Sequence, residues 1–187
     1  MQPGPGVELV LQDPHHLPLD EASVDVVVST SCLEHDPLFW LTFGEMLRVL
    51  KPGGFLYINA PSNGSYHGYP YDHWRFYPDA GRALAQWAER LSRPATLIES
   101  FIGERDGETW ANNVMVLAHD PLEHALPARL ICDQWPGAIN IRRQGSDELE
   151  RFTKAPEDSR KLKKVRTRVK QLQGQLQQSE APKPEPA

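Results

Sequence analysis

The sequence predicts an α/β fold: a partial, mostly parallel sheet with an antiparallel last strand, followed by a C-terminal helix. Residues 17–61 carry this prediction, since a β-branched run, a helically spaced run and a second β-branched run follow one another there. The first run, Val24–Ser29 (VDVVVS), hardly alternates in polarity, which is typical of a strand buried on both faces of a parallel sheet. A strand, a crossover helix and a parallel strand pack back on one sheet with a fixed hand.

The segment between the two runs predicts the crossover helix. Its apolar side chains recur at helical spacing, at Phe39, Phe43, Leu47 and Leu50. Pro52 ends this helix because proline cannot continue the hydrogen-bond ladder, and the two glycines that follow accept the left-handed conformation of a helix C-cap. Phe55–Ala60 (FLYINA) is then the second strand.

Further elements lie on both sides of this unit. Val7–Leu11 reads as a short strand, and a helix is predicted from Pro78 to about Leu91. Ala95–Phe101 and Asn113–Ala118 read as two strands joined by a hairpin turn in Glu104–Glu108. The second of these two strands is expected to lie antiparallel at the edge of the sheet.

The pattern divides the chain into four segments. Residues 1–120 form the α/β domain, and residues 121–153 form an extension to which no regular element is assigned because prolines interrupt it. Residues 154–178 predict a basic amphipathic helix, and residues 179–187 a disordered, solvated tail.

The amphipathic helix has two interpretations. Its apolar residues are spaced by alternate threes and fours, as in a short coiled coil: Leu162, Val165, Val169, Leu172 and Leu176. Eight basic residues between Lys154 and Lys170 are also enough for a polyanion-binding face. The apolar seam favours a homodimer or a partner helix through residues 159–178.

Composition excludes several classes of protein. The chain has 187 residues, 40% of them hydrophobic, which suffices for one core. Its formal net charge of −5 argues against nucleic-acid binding by the body of the protein. Cys32 and Cys132 have neither disulfide nor zinc spacing and are expected to be reduced thiols. No signal peptide or membrane-spanning run is recognisable, so a cytoplasmic protein without a membrane partner is expected.

Several blocks of the sequence resemble one family, the class I S-adenosylmethionine-dependent methyltransferases of the small bacterial type with LPF, FDVV, LEH and LKPGG blocks. The matching blocks are Asp13 with Leu17 and Pro18, Val24–Val27 (VDVV), Ser29–His35 (STSCLEH) and Leu50–Gly54 (LKPGG). They occur in the family's order and cover roughly Val7 to His119. The resemblance implies a Rossmann-like methyltransferase sheet and methyl transfer from S-adenosylmethionine.

The resemblance also implies where the cofactor binds. Asp13 corresponds to the acidic residue that accepts a hydrogen bond from the adenine amino group; its alternative role is to form a turn before Pro14. The remaining predicted cofactor-binding residues follow predicted strand ends, where ligands bind in open α/β sheets: Pro14, Leu17, Ser29, Ser31, Cys32 and His35. Glu34 is expected to cap or pair locally, and His35 could instead be a helix N-terminal residue packed beside the sheet.

The family's glycine-rich cofactor loop has no counterpart in this sequence. Gly4 and Gly6 begin a similar pattern, but no predicted strand precedes them and Leu9 stands at the third glycine position. The sheet is therefore expected to have an exposed edge. Two functions stay open: methyl transfer to a small-molecule or glycan acceptor, and a non-catalytic remnant of the fold that acts as an interaction module.

The aromatic segment after Pro61 predicts the acceptor site. Rings and polar groups that suit a sugar or an aromatic acceptor are supplied by Tyr66, Tyr69, Trp74 and Arg75. A purely structural role is the alternative for Trp74 and Phe76. If the acceptor is a hydroxyl, the candidate catalytic bases are His73, His67 and Asp72. No metal site is expected, because the seven histidines lack metal-binding spacing.

Overall fold

The structure is a computed structural model, and it describes residues 4–103, 111–120, 126, 128–154 and 157–180. The chain forms two compact units, Met1–Thr153 and Lys154–Ala187. The described elements of the first unit are, in chain order, β1 (Val24–Thr30), α1 (Phe39–Val49), β2 (Leu50–Pro61), α2 (Ala80–Arg90), β3 (Ala95–Gly103), β4 (Asn112–His119), α3 (Ile131–Gln134) and β5 (Ile139–Arg143).

The strands form one five-stranded sheet in the order β1-β2-β4-β3-β5. β1 and β2 are parallel, whereas β4 is antiparallel to both β2 and β3. The predicted α/β class with an antiparallel strand is confirmed. β4, however, lies inside the sheet and not at its edge. It forms hydrogen bonds to β2 on one side and to β3 on the other. The predicted turn in Glu104–Glu108 lies outside the described residues.

Two glycines shape the start of β2. The pairing partner moves from Leu50 to Phe55 while β1 advances only from Val24 to Val26, so the residues between form a bulge. Gly53 has a φ of 77°, which favours glycine. A Cβ on Gly54 would lie 2.8 Å from the carbonyl oxygen of Asp25. α1 already ends at Val49, with Leu50 extended, so the Pro-Gly-Gly block lies inside β2 and does not form the predicted helix C-cap. It shapes the bulge that lets β1 and β2 approach.

The core has one cluster on each face of the sheet. The larger one packs α1 and α2 against β2 and β4, with Phe43, Leu47, Leu56, Ile58, Leu84, Ala88, Met115 and Leu117 among its buried members. Neighbouring residues of a strand face opposite sides of the sheet, so Val114 belongs to the second cluster while Met115 belongs to the first. The second cluster also contains Phe101, Cys132, Ala138 and Ile141. The fold thus has helices on one face and a short irregular layer on the other.

That second layer corrects the expectation that residues 121–153 contain no regular element. α3 and β5 both lie there. The Glu99 carboxylate, which is buried, accepts the N–H groups of Ile131 and Cys132 at 2.9 Å. Elements this short show no hydrophobic periodicity in the sequence. The start of α3 is instead held by a side chain that is distant in sequence.

Two predictions about the first strands were wrong. β1 is buried on one face only: Val26 is 58% exposed and Val28 65%. Residues 7–11 form no strand, and Val7 and Leu9 are exposed. β1 pairs with β2 alone and is the edge of the sheet, so the expected exposed edge is confirmed. Because no described strand pairs with the outer side of β1, Val26 and Val28 face solvent.

The second unit contains the helix α4 (Glu157–Glu180). All five residues of the predicted apolar seam are exposed: Leu162, Val165, Val169, Leu172 and Leu176. Pairing through this seam stays a prediction. Residues 181–187 of the predicted tail lie outside the described part of the chain. No described helix has both the length and the hydropathy that crossing a bilayer requires.

Candidate active site

The loop after β1 and the loop after β2 are hydrogen-bonded to each other at the carboxyl ends of these parallel strands. We call residues 31–38 the strand-end loop and residues 62–77 the aromatic loop. The carbonyl oxygen of Glu34 accepts the N–H groups of His73, at 2.7 Å, and of Trp74, at 3.2 Å. Ser31, with a φ of 47°, turns the chain out of β1 and donates its N–H to Asn59 of β2. The two loops therefore form one surface.

The aromatic loop is ordered around the carboxylate of Asp72, whose side chain is only 2% exposed. Both guanidinium nitrogens of Arg75 donate to it, at 2.5 and 2.7 Å, and the N–H of His67 donates at 2.8 Å. Arg75 also donates to the carbonyl oxygen of Ser65. These hydrogen bonds, above all those from Arg75, hold the pKa of Asp72 well below its usual value. Asp72 is thus ionised and already paired.

The aromatic side chains divide into two groups. Tyr66, Tyr69, Tyr71 and Tyr77 are exposed. Phe76 is buried in the main core, and the indole N–H of Trp74 donates to the carbonyl oxygen of Asp36 at 2.9 Å while its ring packs on Phe39. The structural role that the sequence left open for Trp74 and Phe76 is therefore present, and the tyrosines remain available to an acceptor.

Glu34, His35 and His67 form a compact cluster between the two loops. The imidazole rings meet edge to face, with centroids 5.0 Å apart. His35 Nδ1 lies 2.5 Å from the carbonyl oxygen of Tyr71, and its Nε2 lies 3.8 Å from Glu34 Oε1. The Glu34 side chain is 1% exposed, and burial raises its pKa despite the nearby histidines.

Glu34 contacts its neighbour His35, as the expected local pairing would require, but the meeting with His67 was not foreseen. The expectations for His35 and for metal binding stay predictions. The three side chains each offer a ligand atom, and these atoms all lie within 4.8 Å of one another. Sequence spacing could not reveal the cluster, because the two loops follow different strands. A usable signal was present: an acidic residue and a histidine directly after β1, and a histidine early in the loop after β2. His73 is exposed beside Tyr71 and outside the cluster.

The predicted adenine ligand, Asp13, lies in an exposed turn that is tied to the strand-end loop. Its carboxylate accepts the N–H of His15 at 2.8 Å. His15 Nε2 in turn lies 3.0 Å from a carboxylate oxygen of Asp36. Burial alone would raise the pKa of Asp36, but hydrogen bonds from Thr42, His15 and the Leu38 N–H outweigh it and lower the pKa. The Asp13 turn and the strand-end loop are therefore neighbours.

The other predicted cofactor residues are spread over the same region. Ser29 is buried at the end of β1, Leu17 is half-buried, and Pro14, Ser31 and Cys32 are exposed. Their cofactor roles stay predictions. Among the described residues before β1 no strand precedes Gly4 and Gly6, and a Cβ on either glycine would meet open space.

Comparison with known proteins finds a resemblance to methyltransferases. Residues 1–58 match the family model of a methyltransferase domain. An uncharacterized methyltransferase of Mycobacterium ulcerans is 36% identical over 84 residues, which are 42% of this chain and 31% of that protein. One of Mycobacterium avium is 32% identical over 106 residues, 51% of this chain and 39% of that protein. The chain spans about a third of the length of these curated relatives.

Solved structures give more distant matches. A Burkholderia thailandensis 1,6-didemethyltoxoflavin-N1-methyltransferase with bound S-adenosylhomocysteine is 17% identical, with a TM-score of 0.42, over 57% of this chain and 48% of that one. A methyltransferase from Aquifex aeolicus is 14% identical, with a TM-score of 0.41, over 59% and 54%. The family model and the curated relatives bear out the resemblance to methyltransferases, and the family model locates it in residues 1–58.

Proposed function

We propose that the protein transfers a methyl group from S-adenosylmethionine to a hydroxyl of a small-molecule or glycan acceptor bound beside the aromatic loop. One observation carries the proposal: the loops after two adjacent parallel strands join into one surface that holds carboxylates, imidazoles and exposed rings. In open α/β sheets this is the end where ligands bind. The methyltransferase-like segment contains the first of these two loops.

The residues on the Asp13 side suit the cofactor's adenine end. S-adenosylmethionine supplies an electrophilic methyl group on a cationic sulfur and carries an adenine with an amino donor. The exposed Asp13 carboxylate is engaged only within its own turn, so it is free to accept a hydrogen bond from that amino group. His15, bonded to Asp36, would hold Asp13 near the strand-end loop.

The residues of the aromatic loop suit the acceptor. Tyr66 and Tyr69 present exposed rings, and such rings stack on sugars and aromatic molecules. Trp74 contributes its partly exposed ring. Arg75 is committed to Asp72, so its role in the proposal is to fix the shape of the loop and not to grip the acceptor.

A proton must leave the acceptor hydroxyl as the methyl group arrives. His67 and His73 are the candidate groups that take it, since neutral imidazole accepts protons near pH 7. Asp72, ionised and paired with Arg75, is a positioning residue: its Oδ2 lies 3.3 Å from His67 Nδ1 and orients that ring. Holding acceptor and methyl group in line contributes about 7–11 kcal/mol in favourable cases.

Calorimetric titration with S-adenosylmethionine tests the cofactor half of the proposal. We expect submillimolar binding by the full chain and about tenfold weaker binding by Asp13→Asn, which loses a charge-assisted hydrogen bond. Asp25→Asn is the matched control, because Asp25 is an exposed acid paired with Lys51 near the amino end of β1. No binding at millimolar cofactor would instead support the non-catalytic interaction module.

Formation of S-adenosylhomocysteine with a panel of glycans and small hydroxylated acceptors tests the acceptor half. Tyr69→Ala is expected to raise KM for the acceptor with little change in cofactor affinity, because Tyr69 is exposed on the aromatic loop. Unchanged rates in both His67→Ala and His73→Ala would remove these residues as bases.

A second function is favoured by the exposed seam of α4. We propose that the seam pairs with the same helix of a second copy of the chain, since five apolar residues repeat at coiled-coil spacing and are exposed. Sedimentation that depends on protein concentration but not on salt is expected. Leu172→Lys should abolish it, whereas Gln171→Lys adds the same charge beside the seam. Monomeric behaviour at all concentrations would contradict the pairing.

A further inference from the structure

We propose that Glu34, His35 and His67 form a binding site for one divalent transition-metal ion. These residues come from two loops, and their candidate ligand atoms all lie within 4.8 Å of one another. Two imidazoles and one carboxylate are a set that Zn²⁺ and similar ions accept while keeping a position open for a further ligand.

The carboxylate of Glu34 is the first reason to expect an ion. Its side chain is 1% exposed, and its Oε2 accepts no hydrogen bond from the described residues. A buried carboxylate oxygen that lacks a hydrogen bond is costly. A cation beside Oε2 would satisfy the charge. The nearest guanidinium, that of Arg75, is already paired with Asp72.

The orientation of His35 is the second reason. Its Nδ1 lies 2.5 Å from the carbonyl oxygen of Tyr71, so Nδ1 carries the proton and donates it. Nε2 is left as an electron-pair donor and faces Glu34 Oε1 at 3.8 Å. Metal-binding histidines are oriented in this way, with the second ring nitrogen donating to a carbonyl or carboxylate.

His67 also lies beside a carboxylate. Its Nδ1 lies 3.3 Å from Asp72 Oδ2, and Asp72 also accepts the backbone N–H of His67. Arg75 keeps Asp72 ionised and fixed. Ligand atoms around a Zn²⁺ ion stand about 3–4 Å apart. A small rotation of one imidazole is therefore enough to close the site around an ion.

The ion would extend the proposed methyl transfer. A metal-bound hydroxyl loses its proton more readily than a free one. In that case His67 would hold the ion and would not act as the base. This role depends on the proposed function, but the binding site does not, because it can be measured without cofactor or acceptor.

Calorimetric titration of the full chain, without an affinity tag, with Zn²⁺ tests the site. We expect one ion per chain at micromolar affinity or tighter, and much weaker binding of Mg²⁺, which prefers oxygen ligands. Glu34→Gln and His67→Ala should each weaken Zn²⁺ binding by about 100-fold or more. His73→Ala is the matched control, because it removes an exposed histidine of the same loop; its affinity should equal that of the unchanged chain.

Equal Zn²⁺ affinity in all four proteins, or no Zn²⁺ binding by the unchanged chain, would overturn the proposal. Two further measurements guard against a misfolded variant. Zn²⁺ at 100 times its Kd should raise the Tm of the unchanged chain by about 5–10 °C. Co²⁺ should give the intense visible absorption of a four- or five-coordinate site; the weak spectrum of a six-coordinate aqua ion would also overturn the proposal. Failure of methyl transfer with Zn²⁺ bound would instead count against the proposed function alone.

Discussion

The aromatic loop, residues 62–77, and the N-terminal segment, residues 4–22, both contact the strand-end loop, yet they are held in opposite ways. The aromatic loop has a buried ion pair at its centre and two backbone hydrogen bonds to Glu34. The N-terminal segment contains no helix or strand and leaves Val7 and Leu9 exposed. It is held mainly by side chains: His15 contacts Asp36, Arg48 donates to the carbonyl oxygens of Leu17 and Leu19, and Glu45 accepts the Leu17 N–H. Arg93 also pairs with Glu21, and Ala22 donates its backbone N–H to the carbonyl oxygen of Arg48.

The two halves of the proposed site are therefore held in place to different degrees. The acceptor half keeps its shape through contacts within and between two loops. The cofactor half adjoins the edge of the sheet, where β1 pairs on one side only and Val26 and Val28 face solvent. Substitutions in the aromatic loop should therefore cost far more stability than substitutions in the N-terminal segment.

The largest effect is expected for Asp72→Ala. The change removes the carboxylate that pairs with Arg75 and accepts the His67 N–H, so the free energy of unfolding should fall by about 2–4 kcal/mol. Urea denaturation measures it. Asp25→Ala is the control, because it breaks the exposed pair with Lys51 and should cost no more than about 1 kcal/mol. Equal losses would show that the aromatic loop is not organised around Asp72.

The next effect concerns the join between β1 and β2. Gly54→Ala places a Cβ 2.8 Å from the Asp25 carbonyl oxygen and 2.9 Å from that of Lys51, and backbone atoms cannot easily move away. We expect a loss of about 1–3 kcal/mol in thermal unfolding. Gly4→Ala in the N-terminal segment meets open space and should leave the Tm unchanged. A stable Gly54→Ala variant would mean that the bulge relaxes freely.

A smaller effect is expected where the two regions are tied together. His15→Ala removes the hydrogen bond to Asp36 and should cost about 1 kcal/mol. Hydrogen exchange should rise in residues 4–22 while it stays unchanged in residues 62–77. Faster exchange in both regions would show that they are coupled through the strand-end loop. His16→Ala, which removes a more exposed neighbouring histidine, is the control.

The smallest effect is expected for Val7→Ser and Leu9→Ser. Both side chains are exposed, so each change should alter the free energy of unfolding by no more than about 0.5 kcal/mol. Phe76→Ser in the aromatic loop is the contrasting change, since Phe76 is buried in the main core. A large loss in the N-terminal variants would contradict the comparison directly.

The elements that sequence reasoning predicted are those with a local period. α1, α2 and the strands β1 to β4 follow runs whose spacing is visible over a few residues, and their bounds were predicted closely. The exception is β2, which begins at Leu50 and not at Phe55. β5 and α3 could not be predicted, because the buried Glu99 that caps α3 lies far away in sequence. The interior position of β4 depends on pairing between distant strands, which no local pattern encodes.

The candidate site, too, could be predicted from the sequence only in part. That Asp13, Ser29–His35 and the aromatic loop follow predicted strands could be read from the sequence, and so could the abundance of rings. The pairing of Asp72 with Arg75 and the meeting of Glu34 with His67 could not, since both depend on how two loops fold over one another. Asp72 is a candidate base on residue type, but the structure pairs its carboxylate with Arg75, which the sequence did not reveal.

The insertion of β4 between β2 and β3 has a consequence for the order of events during folding. β2 pairs with β1 across a short crossover, but its other side pairs with residues 112–119 of β4. Phe55, for example, can pair only once Ala118 has been synthesised. Loop closure over such a separation slows folding. While the chain is being synthesised, the β1–α1–β2 unit is therefore expected to be complete on one flank and open on the other until β4 leaves the ribosome. Nascent-chain proteolysis should show protection of residues 24–61 only after that point.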